Sequence, residues 1–444
     1  MHYNYLTTFV AALWLTTLSL QNVQARHRDT IAPNPANGHW VDTWTAMPQL
    51  TEPENLPPAP FNQTGSVFRD STIRQTLHMS IGAEQIRIRF SNVFGTTDLP
   101  ITAVTVALPV NGTAGVSAIE PSTLQTVTFS GNSSVIVPNG ALVVSDPINF
   151  RIQPQSMITV TMFLQDGQAS NAITSHPGSR TTIHFVNGNH ATDTNLTNPT
   201  TVQHWYFVIA VEAWVPQNNV AFAIVGDSIT DGRGSDPDHN NRWPDLVLAR
   251  MQANTPTKSI AVVNQAAGGN RILADGLGPN AQGRIDRDVL AQSGVKFAMI
   301  FEGVNDIGTA ATTASVQDAL YDRLVNAFQQ IATRVHAFGI PIFIATITPF
   351  GAPSAAIQPY SDPNRERTRQ RINTWIRDSV STGIYDAVVD FDAAAKDPNN
   401  GTRLNPQFNS GDFLHLNVAG YQALANVFPL DVFEKFSSGV SGFT

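Results

Sequence analysis

Apolar and polar residues follow two different patterns along this chain, and the change falls near residue 216. From about His39 to Trp214 they alternate in short runs: "IRIRFSNVF", "AVTVALPV", "TVTFSG", "SVIVPNG", "MITVTMFL" and "TTIHFV", separated by Gly, Pro, Asn and Ser. Successive side chains of a strand point to opposite faces, so a period of two describes strands with one face buried. Turn signals at this spacing, with helical periodicity nearly absent, predict a jelly-roll-like all-β sandwich over residues 39–216.

After "VPQNN" the pattern becomes continuous apolar runs, "VAFAIVG", "SIAVVN", "KFAMIFEG", "IPIFIATITPF" and "AVVDF", interleaved with segments of helical period. The clearest helices are predicted over 243–252, 317–338, 365–379 and 420–427. Strands that are apolar on both sides need cover on both faces. Residues 217–444 are therefore expected to form a parallel sheet between helical layers. No internal repeat or low-complexity tract interrupts either half.

The first residues fit neither pattern. "LTTFVAALWLTTLSL" is an apolar run followed by the small-residue site "VQA", so residues 1–25 are expected to be a signal peptide and 26–38 a loose polar leader. The run falls short of the ~20 apolar residues of a membrane anchor. A secreted, extracellular chain with no anchor in its mature form is the expectation. Asn62, Asn111, Asn132, Asn195 and Asn400 head Asn-x-Ser/Thr sequons and are candidates for N-glycosylation on that route.

Composition narrows the chemistry. The 444 residues suffice for roughly two to three domains. A net charge of −8 argues against a nucleic-acid partner. With no cysteine there is neither a disulfide nor a thiol nucleophile, so large apolar cores must hold the fold. Cysteine and His-x-x-x-His pairs both being absent, no metal and no cofactor are expected.

In an open parallel sheet, ligands bind at the carboxyl ends of the strands. Four stretches project onto that rim. The first strand runs through "FAIVGDSITDG" to Ser228, and the second through "VVNQAAGGNRIL", placing Asn264, Gly268 and Gly269. The third ends "FEGVNDIG" with Gly303, Asn305 and Asp306, and "GDFLHLNVAGY" after the fifth carries Asp412 and His415. A serine hydroxyl is a weak nucleophile until a base takes its proton, and histidine is the usual base near neutral pH. A carboxylate on the other imidazole nitrogen fixes its tautomer, and Asp412 and His415, one helical turn apart in sequence, fit on one short segment. The oxyanion formed on an ester needs fixed donors, which the Asn305 amide and the backbone N–H groups of Gly269 and Ser228 can supply.

This set, Ser228 in "GDSI", Gly269 in "NQAAGG", Asn305 in "GVND" and Asp412/His415 in "DFLH", resembles the four motif blocks of the SGNH (GDSL-like) hydrolase superfamily. The resemblance spans roughly Val220 to Phe436, with Ile229 in place of the Leu of the family name. It implies a flavodoxin-like three-layer α/β/α domain whose catalytic Ser, Gly, Asn and His come from these blocks, with an Asp three residues before the His. The longer run "GDSITDGRGSDPDHNNRWPDL" is similar to a branch of secreted two-domain esterases with an N-terminal β domain.

Other readings compete. Gly226-x-Ser228-x-Thr230 lacks the second Gly of an α/β-hydrolase nucleophile elbow, and neither a P-loop nor a dinucleotide fingerprint is present. A second Asp-x-x-His, Asp236 and His239, reads as a solvated loop, with His239 bordering the site. Arg242 and Trp243 either wall the site or pack where their helix begins. Asp306 is expected to brace its loop, and His336 to be a surface or partly packed residue. The aromatics of "HWYFVIAVEAWV" suit a sandwich core better than sugar stacking, so the β domain is expected to support the catalytic one rather than to bind polymer. The functional expectation is a secreted serine ester hydrolase working through an acyl-enzyme on O-acyl, especially acetyl, groups of extracellular polysaccharide or on small esters. The alternatives are a lipase or aryl esterase of the same fold, and a non-catalytic polysaccharide-binding protein.

Overall fold

The computed structural model describes residues 37–442. The expected signal peptide and the leader up to residue 36 lie outside them. Gly38, the last leader residue, is already packed, because a Cβ there would meet the Val215 carbonyl and the Trp214 ring.

The antiparallel half is built in chain order from β1 (His39–Thr45), β2 (Ser71–His78), β3 (Ile86–Ser91), β4 (Ala103–Ala107), β5 (Gln125–Val127), β6 (Leu142–Val144), β7 (Met157–Leu164), β8 (Ile183–Asn187), β9 (Thr200–Val202) and β10 (Val208–Val215). They form two sheets, ordered β1-β10-β3-β6 and β9-β8-β2-β7-β4-β5. Alternation in β7 predicts one wet face, yet all eight of its residues are buried. Loops cover the outer face. Arg74 of β2, fully buried, donates to Thr161 Oγ1 (3.0 Å) in β7 and to the carbonyls of Ser117 (2.6 Å) and Asp193 (2.7 Å) in those loops. The aromatics just before β10 are core, whereas Trp214 within it is half-buried: Trp205 packs edge-on to Trp44 at 4.9 Å, and Tyr206 to Phe68 at 5.0 Å.

The second half contains β11 (Val220–Gly226), β12 (Ile260–Ala266), β13 (Val295–Phe301), β14 (Ile342–Ala345) and β15 (Ala387–Val389). These pair in parallel in the order β12-β11-β13-β14-β15, the doubly wound order of flavodoxin-like folds. The helices include α1 (Ser228–Asp231), α2 (Trp243–Gln252), α3 (Ala281–Ile285), α4 (Val304–Thr309), α5 (Ala314–His336), α6 (Pro363–Asp378), α7 (Phe391–Ala395) and α8 (Val418–Val427). Helices α5 and α6 pack together, as do α2 and α8. Among the described residues no helix is long and apolar enough to cross a membrane.

Both halves belong to one compact unit. Strand β12 is the edge of the parallel sheet, and an edge leaves backbone groups open. The antiparallel half closes it. Ser80 Oγ donates to the Val262 carbonyl (2.7 Å) and accepts from the Val262 N–H (3.3 Å), while Thr45 Oγ1 donates to the Asn264 carbonyl (3.3 Å). A second seam joins Asp42 and Ser293: the Asp42 N–H donates to the Ser293 carbonyl (2.9 Å), and the Ser293 N–H to Asp42 Oδ2 (2.8 Å). Replacing Ser80 by Ala orphans two backbone groups of a buried edge. Denaturant titration of Ser80→Ala is expected to show a loss of about 1–3 kcal/mol in unfolding free energy.

Candidate active site

Ser228 is the first residue of α1, directly after β11. The turn is tight: a Cβ at Gly226 would lie 2.5 Å from the Thr230 side chain. Capping of α1 falls to Asp227, whose Oδ1 accepts from the Ile229 N–H at 2.9 Å. The serine hydroxyl is thereby free for another partner, and it donates to His415 Nε2 across 2.7 Å.

His415 sits in the loop before α8, and its Nδ1–H donates to Asp412 Oδ2 at 2.6 Å. The segment is a turn rather than a helix. Asp412 Oδ1 closes it by accepting from the Leu414 (3.0 Å) and His415 (2.8 Å) N–H groups, with Phe413 at φ 61°. Burial works to raise the Asp412 carboxyl. The hydrogen bond and charge of His415, with the two backbone N–H groups, outweigh that and hold it well below the usual carboxylate range.

Asn305, on α4 after β13, is buried, and its amide is oriented from both ends. Nδ2 donates to the Asn270 carbonyl (2.8 Å), and Oδ1 accepts from Tyr360 Oη (3.0 Å). One N–H of the amide remains for a ligand. Gly269 has φ 72°, and a Cβ there would collide with Leu277. Asp306 braces the loop after β12, accepting from the Ile272 (2.8 Å) and Leu273 (3.0 Å) N–H groups. Ser228, Gly269, Asn305 and His415 all line one cleft of about 320 Å³.

Beneath the cleft lies Arg284 of α3, its side chain 1% exposed. The guanidinium donates to the carbonyl of Gly226 (3.3 Å) and to Asn270 Oδ1 (3.0 Å), and pairs with Asp288 (2.9 Å) and Glu302 (3.4 Å). Burial pushes the neighbouring Asp227 carboxyl up to about 7, the Ile229 N–H opposing and the charges of Asp306 and Asp231 reinforcing. Glu302 is likewise held well above its ordinary range, by burial and then by Asp227. Among the described residues no group of three or more His, Asp or Glu is placed to hold a metal ion.

The expected site walls are corrected. Arg242, Trp243 and His239 do not line the cleft that holds Ser228. Trp243 is fully buried, donates to Thr230 Oγ1 (3.2 Å) and packs edge-on to Phe391 at 5.1 Å, so it anchors α2. Arg242 is engaged by Asp245 (2.8 Å) at the start of the same helix, and exposed His239 meets only the Pro237 carbonyl of its own loop (2.6 Å). His336 is also corrected: it is buried, with Nε2 2.8 Å from Asp386. Of the sequons, Asn62, Asn111, Asn132 and Asn195 are exposed and Asn400 is half-buried.

Sequence reasoning did not find Tyr360, Arg284 or the share of the cleft supplied by the antiparallel half. Gln49, Glu52, Glu54 and Arg180 line it, and His176 Nε2 lies 2.9 Å from Asp231 at the end of α1. Tyr360 and Arg284 stand in no motif. Their roles come from pairings across the fold.

Residues 224–423 match the GDSL-like lipase/acylhydrolase family. This stretch is a GDSL-like hydrolase domain. Solved structures similar to the chain include a GDSL-like lipase from Bacteroides thetaiotaomicron (16% identity, covering 49% of this chain and 89% of that one, TM-score 0.34). A carbohydrate acetylesterase family member from Sinorhizobium meliloti is 16% identical over 48% of this chain and 98% of its own, with TM-score 0.36. A variant of an acetyl-xylooligosaccharide esterase from Geobacillus is 22% identical over 47% and 92%, with TM-score 0.36. No curated protein matches the chain.

Two predictions follow from the geometry of the GDSL-like domain. Tyr360→Phe removes the bond that orients the Asn305 amide and is expected to lower kcat about two- to tenfold with KM less affected, measured by steady-state ester hydrolysis. Asp227, with its folded value raised to about 7 from 3.8, binds a proton in the folded state that the unfolded chain releases across that window. Its contribution to stability therefore declines as pH rises from about 4 to about 7. Asp227→Asn is expected to flatten that part of the stability–pH curve in denaturant titrations.

Proposed function

We propose that the chain is a secreted serine ester hydrolase that removes short O-acyl groups, acetyl above all, from extracellular carbohydrate or small esters. The observation that carries the reading is the continuous hydrogen-bonded line from Ser228 Oγ through His415 (2.7 Å) to Asp412 (2.6 Å), opening onto the cleft that Asn305 and Gly269 also line. Ser228 Oγ attacks the ester carbonyl as its proton passes to His415 Nε2, forming the Oγ–C bond. The oxyanion is held by the N–H groups of Ser228 and Gly269 and by the remaining N–H of Asn305. Collapse breaks the bond to the alcohol oxygen, which takes the proton from His415. Water, deprotonated by the same imidazole, then attacks the acyl-enzyme and releases the acid. Asp412, kept ionised, holds the tautomer with its proton on Nδ1 and stabilises the imidazolium.

The acyl size is supported by the cleft, about 320 Å³ with many charged and amide groups in its lining. A long acyl chain gains about 25 cal/mol per Å² only against apolar surface, and Leu277 and Leu414 offer little of it. Secretion is supported by the apolar run at residues 6–20 and by exposed sequons.

Ser228→Ala is expected to fold normally and to lose at least about a thousandfold in kcat on p-nitrophenyl acetate. Asp412→Asn is expected to lose roughly a hundred- to ten-thousandfold. A fluorophosphonate probe should label wild type and not Ser228→Ala. Undiminished turnover in Ser228→Ala, or no labelling of the wild type, would overturn the reading, the second outcome favouring a binding protein. A panel of esters graded in chain length separates it from a lipase or aryl esterase.

A further inference from the structure

We propose that the antiparallel half of the chain builds the subsite for the alcohol side of the ester, and that this subsite takes a neutral, many-hydroxylated alcohol such as a sugar unit. The inference rests on the esterase reading and adds to it the source of alcohol recognition.

The cleft at Ser228 has two walls. One comes from the GDSL-like domain, with Gly269, Asn305 and Tyr360; the other comes from residues 49–55 and 177–180 of the antiparallel half. Arg180 is the key residue of the second wall. It holds a left-handed backbone, φ 49°, a conformation that costs a non-glycine residue energy and is kept where neighbours enforce it. The neighbours are on the catalytic half: the Asp238 N–H donates to the Arg180 carbonyl (2.9 Å), and Asp238 accepts from the Thr182 N–H (2.6 Å) and hydroxyl (2.7 Å). The Arg180 Nε–H is buried and has no acceptor among the described residues. A buried donor without a partner is costly, and an incoming oxygen would relieve that cost.

The acceptor counterpart is Asp231, at the end of the helix that Ser228 begins. Its Oδ1 faces His176 Nε2 (2.9 Å), and the other ring nitrogen of His176 meets the Met47 carbonyl (3.0 Å). Asp231 Oδ2 is buried and without a donor among the described residues. Arg180 and Asp231, each carrying one buried unmatched atom, thus line the same cleft as Ser228. At the mouth, Arg233 and Glu54 are exposed, and Glu52 is held by Gln49 and by Asn55 (3.0 Å).

This set suits hydroxyl groups, each of which donates once and accepts twice. An aryl or alkyl alcohol would leave both orphaned atoms unmatched. The lining mixes both signs, Glu52, Glu54 and Asp231 with Arg180 and Arg233, so no single ionic charge on the alcohol is matched. The alcohol must leave beside His415, which protonates it, and Arg180 lines the same cleft as that imidazole.

The test compares two acetates on the full chain, a mono-O-acetylated methyl glycoside and p-nitrophenyl acetate. Their acyl groups are identical, so the ratio of their kcat/KM values reads the alcohol side. Arg180→Gln is expected to lower the glycoside/aryl ratio about tenfold or more, chiefly through the KM of the glycoside. It should also weaken competitive inhibition of aryl-ester hydrolysis by the deacetylated methyl glycoside. Glu54→Gln, at an exposed position that leaves folding alone, should move the ratio the same way by about two- to fivefold and carries the test if Arg180→Gln is unstable. A ratio unchanged in Glu54→Gln and in a folded Arg180→Gln, or equal losses on both substrates, would overturn the subsite. Ser228-dependent hydrolysis of p-nitrophenyl acetate with an unmoved ratio sinks this inference alone; absence of that hydrolysis sinks the esterase reading and this inference with it.

Discussion

The carboxyl edge of the parallel sheet is held together by one buried cation. Parallel strands all deliver their last carbonyls to the same rim, where no further strand residue can pair with them, and helices begin there as well. Arg284 answers that constraint. It binds the last residue of β11, the loop residue Asn270 after β12, and Glu302 after β13. Because Asn270 in turn accepts from the Asn305 amide through its carbonyl, the position of the proposed oxyanion donor is set by the same guanidinium that ties the strand ends. Breaking a buried pair by removing one partner is costly because the other charge is left uncompensated. Around Arg284 the cost is shared, because Asp288 also pairs with Arg287 (2.6 Å) and burial favours the neutral form of Glu302.

The antiparallel half solves a second problem of the same sheet. An open edge strand is a template for unwanted pairing, and Ser80 and Thr45 occupy the edge groups of β12 that a further strand would take. Once that surface is fixed against β12, the loops at 49–55 and 177–180 are carried to the carboxyl rim, where they meet the cleft. Support of the edge and a share in the cleft wall are thus consequences of one docking. His176, stacked on Trp205 at 5.7 Å and bonded to Asp231, extends it to the helix that begins with Ser228.

Much of this arrangement was legible in sequence, for a definite reason. Strand ends and their turns are local features, so the runs at 220–226, 260–266 and 295–301 place Ser228, Gly269 and Asn305 on one rim without knowledge of side-chain contacts. Alternation likewise located β7 to the residue, while its dry outer face depends on Arg74 and loops from elsewhere in the chain. An aromatic and an arginine at a helix start suit a site wall and local packing equally, and packing decides: Trp243 turns into the core against Phe391 and Arg242 is taken up by Asp245. Tyr360 and Asn305 are separated by 55 residues. Such pairs have no period and no spacing, and only the packed chain brings them together.

The carboxyls around Ser228 differ in charge because their surroundings differ. Asp412 is half-exposed beside an imidazole and two backbone N–H groups, so its ionised form is favoured far below neutrality. Burial pushes the Asp227 carboxyl up to about 7, with the charges of Asp306 and Asp231 reinforcing it and the Ile229 N–H and Arg284 opposing. The consequence is directional. In the proposed reaction, His415 faces an ionised Asp412, while burial favours the neutral form of Asp227 beside Ser228. Environments that drive neighbouring carboxyls apart in this way assign distinct roles to chemically similar groups. Here they favour charge separation along the line from Asp412 to the cleft. The same burial that raises Asp227 belongs to the tight turn between β11 and α1, where its Oδ1 caps the helix that Ser228 begins.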